Sequence, residues 1–341
     1  MDRKAVSFLF VGLIVGALLA ATVFVSVVRR DRAAAAGDGA RRTILKLGHV
    51  LDQSHPVHAA MEHMAKRVAE LSHGAVEIQV FPNGQLGSEP ECIEQLQRGA
   101  LAMVKTSAAA MEGFVPDMAV FGLPYLFRDD DHYWKVLEGP VGRELLAAGE
   151  KVGVHGLCYY DSGSRSFYTV SKPILTPADV KERKLRVLPS KMARDLIATL
   201  GGGPTPIPWG ELYTALQQSM VDGAENNPPS FYTSRHYEVA KHYSLDEHTR
   251  IPDVIIFSQS IWEGLTPEVR AWLNQAAADS VKFQRALWHE KTAEALAAVQ
   301  KAGVKIYYPD KAAFAAATAP MLQSFAGTRI GELAERIRVV K

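Results

Sequence analysis

The chain has 341 residues, a formal net charge of +1, 22% charged and 48% hydrophobic residues. That length can bury a large core and is expected to make two domains. So neutral a balance gives no basic surface that argues for nucleic acid, and two cysteines, Cys92 and Cys158, are too few for a disulfide framework or a metal cluster.

Residues 1–42 are not expected to join the fold. Asp2-Arg3-Lys4 precedes an uncharged, mostly apolar run from Ala5 to Val28, and Arg29-Arg30-Asp31-Arg32 follows. The run is long for a signal peptide and long enough to span a bilayer. Ala33 to Ala36 offers small residues for cleavage, but behind three arginines. Two readings stay open, a cleaved export signal or an uncleaved N-terminal membrane anchor. Either puts the remainder outside the cytoplasmic membrane. No Cys follows the run, so a lipoprotein anchor has no attachment point.

Ile44 to His49 alternates into a first strand. His55-Pro56 opens an amphipathic helix with Ala59, Met61, Met64, Val68 and Leu71 inward, stopped by Gly74. Val76 to Phe81 is a second strand, Pro82-Asn83-Gly84 a turn, and Gln85 to Glu89 leads into a helix carrying Ile93, Leu96 and Leu101. This βαβα start indicates an α/β domain with a largely parallel sheet. His49, His55, His58 and His63 lack an acidic partner at metal-ligand spacing, so no metal and no cofactor are expected. Phe121 to Phe127 reads as core, and Asp129-Asp130-Asp131 as a solvated loop or helix start.

Leu157 to Tyr160 is a strand leading to Arg165. Thr176 and Pro177 mark a helix start, and Arg186 alternates with Leu185 and Val187 on a further strand, so it faces away from them. Glu225-Asn226-Asn227-Pro228-Pro229 puts a carboxylate and two amides at a strand end before a rigid turn. Guanidiniums and amides at strand ends are what a small hydroxylated carboxylate needs, since Arg offers a planar fork and Asn both donates and accepts. Tyr237 to Tyr243 reads as helical and Val254 to Phe257 as a strand. Thr266-Pro267-Glu268 starts a helix of roughly 35 residues, about 50 Å long, that would lie across both lobes. Lys305 to Tyr308 is a last strand and Lys311 to Val339 a C-terminal helix.

The ordered string Gly163-Ser164-Arg165, Lys184-Leu185-Arg186-Val187, Gly202-Gly203-Pro204-Thr205-Pro206, Glu211 to Gln217 and Val221-Asp222-Gly223-Ala224-Glu225-Asn226 resembles the solute-binding proteins of tripartite ATP-independent periplasmic (TRAP) transporters, the DctP-type family. The resemblance covers the chain after about residue 43. It implies an α/β, two-lobed periplasmic-binding-protein-like fold, each lobe a mostly parallel sheet flanked by helices, with the long helix bracing both. Lobe I would comprise 43–162 plus 252–291, and lobe II 163–251 plus 292–341. The implied protein is a periplasmic receptor, not an enzyme, and a monomer. Its partners would be a small-molecule carboxylate and the small and large membrane permease subunits.

By that resemblance Arg186 forms the main clamp on the ligand carboxylate, Arg165 is a second donor and Asn226 completes the grip. Trp209 falls where relatives place an aromatic against the ligand, and equally where a helix start needs a core residue. His49, Glu89, Ser107 and Asp253 fall where relatives line the pocket. Ser107 stands where sialic-acid-binding relatives have an acidic residue, and the run from Trp209 to Thr249 looks more like the sugar-acid, uronate branch, with Asn227, Glu89 and His49 as hydroxyl partners. A C4-dicarboxylate receptor and a membrane-anchored sensor domain stay open. An enzyme on a sugar acid would need an acid/base pair or a nucleophile with its base; Glu211 and Glu225 could be put forward as paired carboxylates, but Glu211 reads better as support for a helix start.

Overall fold

The computed structural model describes residues 42–341. The export signal or anchor expected over 1–42 lies, Arg42 aside, outside them. No helix among the described residues is long and apolar enough to cross a membrane.

The chain opens with β1 (Thr43–Gly48), α1 (Pro56–Leu71), β2 (Val76–Phe81), α2 (Glu89–Gln97) and β3 (Met103–Ser107). His55 caps α1 by accepting the Val57 N–H, and the buried stripe is Val57, Ala60, Met61, Met64 and Val68. Ala60 takes the inward place expected of Ala59, and Leu71 is only half-buried. Ser88 and Glu91 form a capping box that starts α2. There follow α3 (Ala108–Met111), α4 (Asp130–Glu138), α5 (Pro140–Ala147) and β4 (Val154–Tyr160). Asp129 caps α4, so the three aspartates are a helix start.

The middle of the chain runs through β5 (Arg165–Thr169), β6 (Lys184–Val187), α6 (Lys191–Thr199), β7 (Gly203–Pro206), α7 (Leu212–Gln217), β8 (Gly223–Asn226), α8 (Pro228–Thr233) and β9 (His242–Thr249). Then come β10 (Asp253–Ser258), α9 (Gln259–Gly264), α10 (Pro267–Lys301), β11 (Lys305–Tyr307), α11 (Lys311–Gln323) and α12 (Arg329–Arg338). Two expectations fail here. Tyr237 to Tyr243 is not a helix: a single 3-10 turn, His236–Glu238, precedes β9, whose apolar face pairs into a sheet. The C-terminal helix is two helices, because Gly327 adopts φ 73° and Thr328 recaps the chain by accepting the Gly331 N–H.

Two sheets form, β2-β1-β3-β10-β4 and β11-β9-β5-β8-β6-β7. In each, one strand runs against both of its neighbours: β10 in the first and β5 in the second. Connectivity requires this. β4 passes straight into β5 through residues 161–164, and β9 passes straight back into β10 through 250–252, so each crossing strand enters its sheet from the far side. The pairings of β1 with β3, β6 with β7 and β8, and β9 with β11 are parallel.

The crossings are fastened by buried polar groups. Asp161 N–H donates to Gln284 Oε1 and Gln284 Nε2 donates to Asp161 O, both at 2.8 Å. Ser162 Oγ donates to Ile251 O, and Arg250 donates to Asp161 and Asp130 while lying 3.9 Å over the Tyr133 ring. Gln284 belongs to α10, which starts on a Thr266 cap and runs 35 residues. Its buried residues Leu273, Ala276, Ala277 and Trp288 join the apolar core of α1 and the first sheet, whereas Val299 joins that of Tyr168, Phe231 and Tyr243 in the second. One helix thus puts buried residues into two of the three apolar cores among the described residues.

Candidate functional site

The C-terminal ends of β3, β6 and β8, with the start of β10, meet at a cleft between the two sheets, where ligands of open α/β sheets bind. Its inner part is a chamber of about 40 Å³, lined by Glu89, Lys105, Ser107 and Asp253 from the first lobe and by Arg165, Leu188, Trp209, Asn226, Asn227 and Ser230 from the second. A groove of about 470 Å³ adjoins it, sharing Val50, Glu89 and Trp209 and lined also by Arg186. Together they fall in the size range of small-ligand sites, roughly 300–1,000 Å³.

The two arginines differ in what holds them. Arg165, at the start of β5, is forked onto Glu225: Nε and Nη2 reach the two carboxylate oxygens, Nη2 also donates to Glu225 O, and Nη1 donates to Asn226 Oδ1 at 2.9 Å. Burial raises the Glu225 pKa, but Arg165 and His248 outweigh it and hold the carboxyl near 2. Behind it, His248 Nδ1 and Asp246 Oδ2 are 2.8 Å apart. Burial opposes a charge on His248, yet Asp246 and Glu225 hold its pKa up at about 9.

Arg186 lies on β6, beside the edge strand β7, facing away from Leu185 and Val187 as its alternation predicts, and is 1% exposed. Its Nε donates to Ile207 O at 2.8 Å, its guanidinium stands 5.7 Å from the Trp209 ring, and its Nη1 has no hydrogen-bond partner. No ion pair of Arg186 occurs among the described residues, and burial lowers its pKa from the ordinary value. A buried guanidinium short of partners is costly, and a carboxylate has the matching geometry to complete it.

Asn226 accepts through Oδ1 from Arg165 and from the Asn227 N–H, which leaves its amide hydrogens to offer. Asn227 caps α8 by accepting the Ser230 N–H, so its turn role and its place in the chamber wall coincide. Trp209 is half-buried: it lines chamber and groove and packs at the edge of the apolar cores around it. Ser107 caps α3, and its N–H donates to Glu89 Oε1 at 2.8 Å.

His49 departs from the expectation. It lines neither chamber nor groove; its Nδ1 accepts the Leu51 N–H and its Nε2 meets His58 Nδ1 at 3.0 Å. Burial, with Lys105 and His58, drives its pKa to about 2. No group of three or more His, Cys, Asp or Glu among the described residues could hold a metal ion. Glu211 sits at the groove and Glu225 is locked on Arg165, so the two are not a free acid/base pair. The residue that sequence reasoning missed is Lys105, a buried cation 3.0 Å from Asp253 Oδ1. Its only signal was a lysine inside an otherwise uncharged strand.

Residues 47–328 match the family described as bacterial extracellular solute-binding protein, family 7. A curated solute-binding protein of Chromohalobacter salexigens is 38% identical over 80% of this chain and 81% of its own length. A TRAP periplasmic solute-binding protein of Bradyrhizobium sp. BTAi1, solved with α/β-D-galacturonate, superposes with a TM-score of 0.84 at 43% identity, over 86% of this chain and 99% of that one. One from Roseobacter denitrificans, solved with β-D-glucuronate, gives 0.84 at 37% identity, over 87% and 100%. The two-lobed fold is thus that of a TRAP solute receptor, and the chain belongs to the DctP family of bacterial extracellular solute-binding proteins.

Proposed function

We propose that this receptor binds a monocarboxylate sugar acid, of the galacturonate or glucuronate kind, and delivers it to the small and large membrane subunits of a TRAP permease from the periplasm. The observation that carries the reading is Arg186, a buried guanidinium with an unpartnered Nη1 beside Trp209 at the cleft. The ligand carboxylate takes that fork, with Arg165 and Asn226 as further donors. Trp209 covers a sugar face, and Asn227, Glu89, Ser107 and Asp253 meet hydroxyls. His49 acts from behind, by fixing the loop at Leu51. The uronates bound to the Bradyrhizobium and Roseobacter proteins support the ligand class.

The lobe division that goes with it, 43–162 plus 252–291 against 163–251 plus 292–341, is supported by the strands, each sheet drawing its members from one side of the division. Helix α12 departs from it, because Arg329 and Arg336 pair with Glu144, and His132 bonds Ile337 O in the first lobe. Closure on the ligand is a population shift about the crossings at 161–164 and 250–252.

Thermal unfolding against a panel of acids tests the ligand. Galacturonate, glucuronate, gluconate, succinate, malate, 2-oxo acids and sialic acid would each be present in excess. A ligand at 100 times its Kd adds about 2.7 kcal/mol and shifts the midpoint clearly. A selective response to uronates is expected; a response confined to C4-dicarboxylates overturns the ligand class. Turnover of the acid over time would overturn the receptor reading in favour of an enzyme.

A further inference from the structure

The first-lobe wall of the chamber carries a charge arrangement that an arginine clamp does not need. The antiparallel register of β3 and β10 sets Asp253 opposite Ser107 and Ile255 opposite Lys105, so Lys105, Ser107 and Asp253 share one face. Lys105 Nζ lies 3.0 Å from Asp253 Oδ1 and 4.0 Å from Glu89 Oε1. All three side chains are less than 10% exposed. Two carboxylates therefore share one ammonium, and the wall is left with one negative charge in excess.

The cations of chamber and groove can be matched one by one. Arg165 is taken by Glu225 and Lys105 by Asp253, with Glu89 beside it; Arg186 has no carboxylate partner among the described residues. One unmatched guanidinium accommodates one ligand carboxylate. The remaining lone pairs of Glu89 and Asp253 can only accept, which suits hydroxyl groups.

We propose that Glu89, Lys105 and Asp253 form a hydroxyl-reading, anion-excluding end of the site that restricts its ligands to acids with a single carboxylate, with Lys105 as the positioning residue. This rests on the sugar-acid reading above and adds the ground of its selectivity. A ligand hydroxyl gains a charge-assisted hydrogen bond at Asp253 or Glu89. A second ligand carboxylate meets two like charges whose one counter-ion is already engaged, and rejection by such juxtaposition is a strong source of specificity.

Calorimetry with galacturonate and galactarate, which carry one and two carboxylates on the same configuration at C2 to C5, tests this through the change in preference between wild type and variants. The wild type is expected to prefer galacturonate at least 100-fold. Asp253→Asn, which keeps the shape and leaves Lys105 to Glu89, narrows that preference at least tenfold, and Glu89→Gln acts in the same direction. The double variant Lys105→Gln with Asp253→Asn removes an ion pair together and returns the excess negative charge, so rejection of galactarate returns. A merely structural triad would not give that reversal. Thermal midpoints of the variants without ligand check folding.

A preference unchanged within threefold in both single variants, with galacturonate still bound, overturns the charge exclusion and spares the sugar-acid reading. The converse is tested with 2-oxobutyrate and 2-oxoglutarate. A wild type that prefers 2-oxobutyrate to galacturonate, yet admits the dicarboxylate only as Asp253→Asn, overturns the sugar-acid reading and upholds the exclusion. A wild type that prefers galactarate or 2-oxoglutarate, or binds none of these acids, overturns both.

Discussion

Arg165 and Glu225 form a two-pronged ion pair inside the protein, with both side chains about 5% exposed and Nη2 2.9 Å from Oε1. Arg186, on the next strand but one, has no such partner and leaves Nη1 unbonded. The two arginines that look alike in the sequence thus do different work. One is held by a carboxylate of the protein and lines the chamber; the other donates to Ile207 O and lines the groove.

Their removal should therefore have opposite consequences for the unliganded fold. Arg165→Met strands Glu225 as a buried charge and is expected to destabilise by about 3–5 kcal/mol. Arg186→Met deletes a buried cation that lacks a carboxylate, so stability should stay level or rise. Both should lose ligand affinity. Urea denaturation without ligand checks the contrast, and equal losses in the two variants would contradict it.

Replacing the Arg186 fork by a point charge isolates its binding role. Arg186→Lys keeps the charge but loses the planar pair of donors and the stacking on Trp209. Affinity for the acid should fall at least tenfold, with the ligand-free unfolding free energy within about 1 kcal/mol of wild type. Unchanged affinity by calorimetry removes Arg186 from the site.

Much of this was legible from local chemistry. The alternation Leu185-Arg186-Val187 and the Thr176 and Thr266 helix starts each act within a few residues of themselves, and each lies where its pattern says, while Asn226 ends its strand as expected and Asn227 caps a helix where a rigid turn was expected. Lys105 was not legible, because its role comes from Asp253, a residue on a strand that returns from the other sheet. His49 sits at the right strand end, but both of its ring nitrogens are engaged, by His58 on α1 and by the Leu51 N–H, and it lines neither chamber nor groove. The segment before β9 misled for a similar reason: Tyr237 to Tyr243 has helix-compatible residues, and sheet pairing with β5 and β11 decides otherwise.

Buried histidines set the pH response of stability. Burial lowers the pKa of His49 to about 2 and of His236 to about 3, and pushes that of His55 down too. Below 6.5 the unfolded chain takes up protons that the folded chain refuses, so stability falls as pH drops from 6.5, by about 1.4 kcal/mol per pH unit for each histidine. Asp253, pushed up to about 6 by burial, offsets one proton over part of that range. His248, held near 9, acts on the other side: its contribution is complete below 6.5 and is lost as pH rises through 9. Denaturation at pH 5, 6.5 and 9 should place the maximum near 6.5. His236→Gln should flatten the acid limb by about one proton, and an unchanged limb would remove His236 from the account.

Gln284 is the last test, because it joins the brace to the crossing point. Its side-chain amide satisfies both the N–H and the C=O of Asp161, at 2.8 Å each, in a buried position where neither group meets water. Gln284→Leu keeps the volume and orphans two backbone groups, at roughly 1–3 kcal/mol apiece. Gln284→Glu keeps the acceptor for the Asp161 N–H but sets a buried carboxylate against the Asp161 carbonyl, and should cost at least as much. If the amide also fixes the axis of closure, Gln284→Leu weakens ligand binding although Gln284 lines neither chamber nor groove. Urea denaturation and calorimetry on the same variant separate the effects. Lost stability with unaltered affinity makes Gln284 a fastener of the fold alone, whereas loss of both makes it part of the hinge.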